Sequence, residues 1–94
     1  MENHVSTLRS VNMNLLPVLV ELLRSTNVTR AAGRLNLTQS TVSGSLRQLR
    51  DIFDDELLVQ RGREMVLTEK ARRLLPEVER IMDACQSLAP KRTV

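Results

Sequence analysis

The sequence predicts a mainly α-helical domain, in which three helices are followed by a small β-hairpin and one long last helix. Three observations support this fold class. The chain has sixteen leucines but only one aromatic residue, Phe53, so its core must be aliphatic, which favours packed helices. Apolar residues recur at helical spacing in four separate segments. Between the last two of them, a glycine stands between two short apolar runs, which is typical of a hairpin. A chain of 94 residues can build one such domain.

The first predicted helix follows a polar segment, residues 1–13, which we expect to be a flexible tail. Asn14 is placed to cap this helix, and Pro17 falls in the first turn, where no helical hydrogen bond is lost. The helix is apolar on nearly every side. This pattern predicts that it is buried between its neighbours.

A second helix is predicted after a break at residues 25–27, with Asn27 as its N-cap. Its apolar residues recur at i, i+3, i+4 and i+7, namely Val28, Ala31, Ala32 and Leu35. Only a tight turn at Asn36-Leu37 separates it from the third helix. We therefore expect the two helices to cross at Ala32, with Leu35 and Leu37 filling the junction.

The third helix is predicted to start after Thr38 as N-cap and to stop at Asp54, because Asp tolerates the left-handed backbone that ends many helices. One stripe of this helix is apolar: Val42, Leu46, Leu49 and Phe53. Its first half is instead rich in residues that weaken helices: Thr38, Ser40, Thr41, Ser43, Gly44 and Ser45. Against good helix formers, this choice costs about 2–3 kcal/mol. We therefore expect the exposed face of the helix to fit a partner.

The hairpin is predicted over residues 58–67, with Gly62 supplying a positive φ at its turn. Thr68 is expected to cap the last helix, which Pro76 should kink or locally loosen. Apolar residues follow this helix as a heptad seam broader than one small domain needs, so we expect pairing with a second copy of the chain. The seam consists of Ala71, Leu74, Leu75, Val78, Ile81, Met82, Cys85 and Leu88. The predicted organisation is a tail over 1–13, a domain over 14–67, a linker helix over 68–90 and a second tail over 91–94.

Charge is distributed unevenly along the chain. The net charge is +3 and the sequence pI is near 10.0, and no acidic residue occurs between Glu21 and Asp51. Five arginines fall in this segment: Arg24, Arg30, Arg34, Arg47 and Arg50. A segment of one sign favours a polyanionic partner, although a solvated basic face would have the same composition. The acidic run at residues 54–56 is expected to be a solvated turn that points away from such a partner.

The second and third helices, joined by a two-residue turn, have the arrangement of a helix-turn-helix. A helix that enters the major groove of DNA must bring its N-terminal backbone close to bases and phosphates, and short side chains permit this. Gln39 can bind adenine through two hydrogen bonds, and hydroxyls can bind phosphates or bases. Arginines at the hairpin tip would meet the DNA backbone or minor groove. The candidate DNA-binding residues are Arg30, Thr38, Gln39, Ser40, Thr41, Ser43, Gly44, Arg47, Arg61 and Arg63.

Four motifs resemble the N-terminal domain of LysR-type transcriptional regulators, and among these the nodulation-regulator branch. They are Val28-Thr29-Arg30-Ala31-Ala32, Leu35-Asn36-Leu37-Thr38-Gln39, Val42-Ser43 and Leu67-Thr68-Glu69, in family order and spacing within residues 14–88. The resemblance implies a winged helix-turn-helix and a linker helix that forms a homodimer on an interrupted, roughly palindromic double-stranded DNA operator. It further implies a recognition helix, about residues 39–53, whose Gln39, Ser40, Ser43 and Gly44 face the major groove. The hairpin would be the wing, residues 58–67, whose arginines reach the minor groove.

Three positions depart from the family pattern. Ser40 stands where proline is usual, Gly44 where arginine is frequent, and Arg72 where many members have glycine. The missing arginine at position 44 puts one base or phosphate contact in doubt, and Arg47 is the candidate to compensate for it. Family members usually continue into a longer effector-binding region, which is absent from these residues. The resemblance therefore implies a DNA-reading fragment, or a natural short form.

Other function classes find less support. Cys85 is the only cysteine, which excludes an internal disulfide and a cysteine-based zinc site, and His4 lies in the tail far from it in sequence. With no phosphate-binding loop or catalytic carboxylate pair, we expect no enzyme, cofactor or metal. No apolar run reaches the roughly 18 residues of a membrane span, and residues 1–10 lack a signal-peptide core, so a cytoplasmic, nucleoid-associated protein is expected. One alternative stays open: a helical module that dimerises through residues 71–88 without DNA.

Overall fold

The computed structural model describes residues 15–88, which form four helices and a two-stranded antiparallel sheet. Their order is α1 (Leu15–Ser25), α2 (Val28–Leu35), α3 (Gln39–Phe53), β1 (Leu58–Arg61), β2 (Glu64–Leu67) and α4 (Glu69–Leu88). The predicted fold class, mainly helical with a small wing and a long last helix, is confirmed. Both predicted tails and the N-cap at Asn14 lie outside the described residues.

Helix α1 is the centre of the core. It packs against α2, α3 and α4, and seven of its eleven residues are buried. Leu19, Leu22 and Leu23 are at most 2% exposed. Burying each such leucine contributes roughly 1.5–3 kcal/mol. The prediction from its all-round apolar pattern is therefore confirmed.

The three predicted N-caps within the described residues are all present. The side-chain oxygens of Asn27, Thr38 and Thr68 each accept a hydrogen bond from the backbone N–H three residues later, at 2.8, 3.1 and 3.1 Å. Each bond satisfies a helical donor that would otherwise have no partner in the helix. These caps fix where α2, α3 and α4 begin.

The turn between α2 and α3 is set by Asn36, whose φ of 60° lies in the left-handed region. Leu37 then donates its backbone N–H to Ala32 O at 2.9 Å. Leu35 packs half-buried against the core, as predicted. The prediction that Leu37 fills the junction is wrong, because this residue remains 41% exposed.

The hairpin pairs Leu58 with Leu67 at its base and Arg61 with Glu64 at its tip. Gly62 has φ 64°, which confirms the predicted turn glycine. Helix α4 runs without interruption through Pro76 and packs along α1. Within residues 15–88, no helix combines the length and the apolar character needed to cross a bilayer.

Candidate nucleic-acid interface

Helix α3 separates an apolar side from a polar one. Val42, Leu46 and Leu49 are buried beneath it. On the opposite side lies an open depression of about 630 Å³, which we call the polar face of α3. It is lined by Gln39, Ser40, Ser43, Gly44 and Arg47. The structure thus brings together five of the ten candidate DNA-binding residues on one accessible surface.

Gly44 in this face has no role in packing. A Cβ added at Gly44 would meet nothing within 4 Å, and its backbone is helical without positive φ. Glycine inside a helix costs roughly 0.5–1 kcal/mol relative to alanine. Packing within the fold therefore does not explain the glycine at this position.

Thr38 and Thr41 lie at the start of α3 and bind each other. Thr38 Oγ1 accepts from the Thr41 backbone N–H at 3.1 Å and donates to Thr41 Oγ1 at 2.8 Å. The Ser40 hydroxyl is 3.4 Å from the same oxygen of Thr38. Thr38 therefore acts first as a helix cap, and a contact from it to DNA stays a prediction.

A second groove, of about 450 Å³, lies between the start of α2 and the hairpin. Its lining includes Arg30 from α2 and Arg63 from the hairpin turn, so the fold brings these two predicted residues together. Thr29 and Gln60, which are not among the residues proposed from the sequence, line it as well. Thr29 lies beside Arg30 in the chain, but nothing local in the sequence pairs Gln60 with α2. Arg61 is exposed at the end of β1 and lines neither surface.

The arginines of the acid-free segment divide into two groups. Three of them are engaged within the fold: Arg24 with Glu79 at 2.7 Å, Arg34 with Glu21 at 2.8 Å, and Arg50 with the carbonyl oxygens of Glu56 and Leu58 at 2.7 and 2.8 Å. The hydrogen bond that Arg24 donates to the Glu79 carboxylate raises the pKa of Arg24. Arg30 and Arg47 are exposed and form no ion pair within residues 15–88. The predicted basic patch is therefore divided, within residues 15–88, between arginines that bind other parts of the fold and arginines that do not.

The expectation of a purely solvated acidic turn is wrong for Asp55. Its side chain is half-buried, and Oδ2 accepts from the Leu57 backbone N–H at 2.8 Å and from Thr68 Oγ1 at 2.6 Å. These two hydrogen bonds lower the pKa of Asp55, the one from Thr68 most. Its neighbours Asp54 and Glu56 are exposed, as expected.

Replacing Asp55 by Asn is expected to destabilise the chain in a pH-dependent way. Because the folded pKa lies below the unfolded one, the carboxylate stabilises the fold above the unfolded pKa, and this stabilisation is lost as pH falls through the folded pKa. In urea unfolding, the stability difference between wild type and Asp55→Asn should be largest at pH 7 and should shrink below about pH 4. Asp51→Asn, at an exposed position on α3, is the control. A difference that stays constant from pH 7 to pH 3 would contradict the assignment.

The predicted dimerisation seam on α4 is partly used by the chain itself. Ala71 and Val78 are 0% and 4% exposed and belong to the core. Four more residues are half-buried against that core: Leu74, Leu75, Met82 and Cys85. Ile81 and Leu88 remain 48% and 85% exposed. Pairing through α4 therefore stays a prediction, and its open apolar surface lies in the second half of the helix.

Within the described residues, no group of three or more His, Cys, Asp or Glu side chains is placed to hold a metal ion.

A family model described as "Bacterial regulatory helix-turn-helix protein, lysR family" matches residues 13–72. The chain is similar to Nodulation protein D 3 of Mesorhizobium japonicum, with 44% identity over 70 residues, 74% of this chain and 23% of that protein. It is also similar to Nodulation protein D 1 of Neorhizobium galegae, with 41% identity over the same shares. The chain thus spans about a quarter of the length of these relatives.

Solved structures agree with these matches. A probable transcriptional regulator from Pseudomonas aeruginosa superimposes with a TM-score of 0.80 at 35% identity, over 87% of this chain and 28% of that one. The BenM_DBD in its complex with catB site 1 DNA superimposes with a TM-score of 0.75 at 17% identity, over 82% and 86%. That second likeness concerns the fold alone. Since the family model covers more than half of its residues, the chain belongs to the LysR family of bacterial regulatory helix-turn-helix proteins.

Proposed function

We propose that this chain binds double-stranded DNA sequence-specifically, as the DNA-reading domain of a LysR-type transcription regulator. In this proposal α3 is the recognition helix in the major groove, and the wing, residues 58–67, lies at the minor groove. The observation that carries the proposal is the polar face of α3, which combines short side chains with a glycine that the fold does not require.

The chemistry of this face suits base reading. The major groove is about 12 Å wide and admits an α-helix, and short side chains near the point of entry let the helix backbone come close to the bases. Ser40 and Ser43 offer small hydroxyls there, and Gln39 is exposed in the first turn of α3. An amide can bind the N6 and N7 atoms of adenine together. Gln39 is therefore the proposed base reader.

The cations without an internal ion pair suit phosphate contacts. Arg47 lies on the polar face of α3, and Arg30 and Arg63 share the second groove. Arg61 is exposed near the wing tip. Contacts of arginine to phosphates fix the position of a protein on the duplex and supply most of its sequence-independent affinity.

Two copies of the chain are proposed to pair through α4 and to bind an interrupted, roughly palindromic operator. The exposed apolar residues Ile81 and Leu88 support this pairing. A two-fold dimer reads half-sites about 34–36 Å, or a multiple of that, apart. Family membership supports the proposed DNA binding, as does a fold shared with BenM_DBD, which was solved on DNA. An effector-binding region beyond these residues, and residence in the cytoplasm at the nucleoid, are also proposed.

The direct test is selection of bound duplexes from a random pool, followed by sequencing and fluorescence-anisotropy titration of the selected sequence. Recovery of a two-fold, interrupted site is the expected result. Salt-sensitive binding without any enriched sequence would mean that the chain binds only the phosphate backbone of DNA and does not read its sequence. No binding even at low salt would instead support the alternative, a helical module that dimerises through residues 71–88 without DNA. The exposed apolar residues of α4 would then serve that pairing alone.

Gln39→Ala is expected to cost roughly 1–3 kcal/mol on the selected site and to relax the preference at one base pair, because the proposed bidentate contact is lost. Arg47→Ala should instead weaken binding to all sequences and flatten the dependence of affinity on salt. Titrations of both variants on selected and scrambled duplexes separate the two roles. Equal losses on the two duplexes for Gln39→Ala would remove Gln39 from base reading.

A further inference from the structure

The end of α3, the base of the wing and the start of α4 meet in a network of hydrogen bonds that lies apart from the polar face of α3. At its centre, Oδ2 of Asp55 accepts from the Leu57 backbone N–H at 2.8 Å and from Thr68 Oγ1 at 2.6 Å. Leu57 precedes β1 and Thr68 follows β2. One carboxylate oxygen therefore holds both ends of the wing.

Two long cationic side chains connect this base to its neighbours. Arg50, in the last turn of α3, donates from its guanidinium to the Leu58 carbonyl oxygen at 2.8 Å and to that of Glu56 at 2.7 Å. Lys70, in the first turn of α4, donates from Nζ to the Phe53 carbonyl oxygen at 2.7 Å. The last turn of α3 is thus bonded to β1 on one side and to α4 on the other.

At the base of the wing, Leu57 has a backbone conformation that leucine does not normally prefer. Its φ of 67° lies in the left-handed region, which L residues with a branched side chain rarely adopt. The residue is nevertheless 1% exposed, its N–H is bound by Asp55, and its carbonyl oxygen accepts from the Thr68 backbone N–H at 3.0 Å. Such conformations persist only where the surroundings enforce them, and they often occur next to functional sites.

The direction of the wing depends on this base. Beyond its base, the tip residues Arg61, Gly62 and Arg63 are all exposed. Only four residues, 54–57, separate the end of α3 from β1. Because Leu58 is buried in the core and Leu67 packs partly against it, the base of the wing is fixed, and the backbone angle at Leu57 helps to set the direction of the exposed tip relative to α3.

We propose that Asp55 is a positioning residue, which sets the wing relative to the recognition helix so that the wing arginines and α3 meet one DNA duplex together. This inference rests on the proposed DNA binding. Asp55 does not itself touch DNA in the proposal, and it acts through Arg61 and Arg63. Loss of Asp55 should therefore remove the contribution of those arginines and leave base reading by Gln39 in place.

A set of double-mutant cycles on the selected duplex tests this. Asp55→Ala and the double variant Arg61→Ala/Arg63→Ala are each expected to weaken binding roughly tenfold, and together no more than either does alone. Asp55→Ala combined with Gln39→Ala should instead show additive losses. Asp55→Asn should restore binding near pH 7, because both donors converge on one oxygen that the amide can also supply.

Thermal unfolding by circular dichroism checks that each variant is folded at the temperature of the titration. If Asp55→Ala does not fold, Arg50→Met replaces it in the same double-mutant cycles. That substitution removes the hydrogen bond to the Leu58 carbonyl oxygen. The inference would be overturned if the losses of DNA affinity from Asp55→Ala and from the double wing variant were additive. It would also be overturned if Asp55→Asn bound DNA as weakly as Asp55→Ala. A double wing variant that binds like the wild type would overturn it as well, although DNA binding by α3 would then stand. A wild-type chain that binds no duplex would overturn the proposed function and this inference together.

Discussion

Replacing Gly44 by Glu is expected to abolish specific DNA binding while the chain stays folded. A side chain at this position meets nothing within 4 Å, and Glu favours a helix more than Gly does, so the fold should be unharmed or slightly more stable. The carboxylate would stand in the middle of the polar face of α3, between Ser40 and Arg47. Placing like charges against each other costs several kcal/mol, which corresponds to a loss of at least about 100-fold in affinity against DNA phosphates.

Two controls separate the causes of that loss. Gly44→Gln adds a side chain of the same length without charge, and it should weaken binding less than Gly44→Glu does. Gly33→Glu adds the same charge to α2, at a glycine where an added Cβ also meets nothing within 4 Å and which lies outside the polar face of α3. Anisotropy titrations at one salt concentration and thermal unfolding compare all three variants. If Gly33→Glu weakened binding as much as Gly44→Glu, net charge rather than the position on α3 would be responsible.

The elements of this fold could be predicted because their boundaries are encoded locally. Asn27, Thr38 and Thr68 cap the helices that directly follow them, and the donor in each case is only three residues away. Asp54 ends α3 in the left-handed conformation, as its residue type suggests. The polar face of α3 was predictable for a similar reason. Residues three, four and seven apart on a helix lie on one side of it whatever else the chain does.

The parts that sequence reasoning missed depend on partners far away in the chain. Asp55 binds Thr68 across 13 residues, and Arg24 pairs with Glu79 across 55. Nothing within the run Asp54-Asp55-Glu56 distinguishes the middle carboxylate from its solvated neighbours. The left-handed backbone at Leu57 runs against the preference of leucine itself. These features arise only in the folded chain, and no local sequence pattern predicts them.

The heptad seam of α4 shows a related limit. A spacing of three and four residues records that one side of a helix is apolar, but it does not say which surface covers that side. Ala71 and Val78 fill the core formed with α1, although the same pattern had assigned them to a dimer. Only the solvent exposure of each residue in the folded chain shows which seam residues pack in the core and which stay open. Ala71 and Val78 are buried, and four residues of the seam are half-buried against the core, whereas Ile81 and Leu88, seven residues apart, are open.

Ile81→Glu is therefore expected to give a monomer that binds the two-fold operator at least about 100-fold more weakly, because linking two half-sites raises affinity by roughly 10²–10⁴. Ile81 is 48% exposed and is not among the residues packed against the core, so the single chain should remain folded. In a symmetric pair, each substitution would place two carboxylates in one apolar contact. Gln86→Glu adds the same charge at an exposed position on another side of α4 and should leave the dimer intact.

Sedimentation equilibrium gives the mass of each variant, and titration of full and half-site duplexes gives the energetic consequence. The expected pattern for Ile81→Glu is a large loss on the full operator and little change on a half-site. An unchanged mass would place the dimer contact elsewhere on the chain. A monomer that bound the full operator as tightly as the wild type would mean that each recognition helix acts alone. An equal loss on both duplexes would mean that α4 influences the reading domain through the core it shares with α1, rather than through pairing.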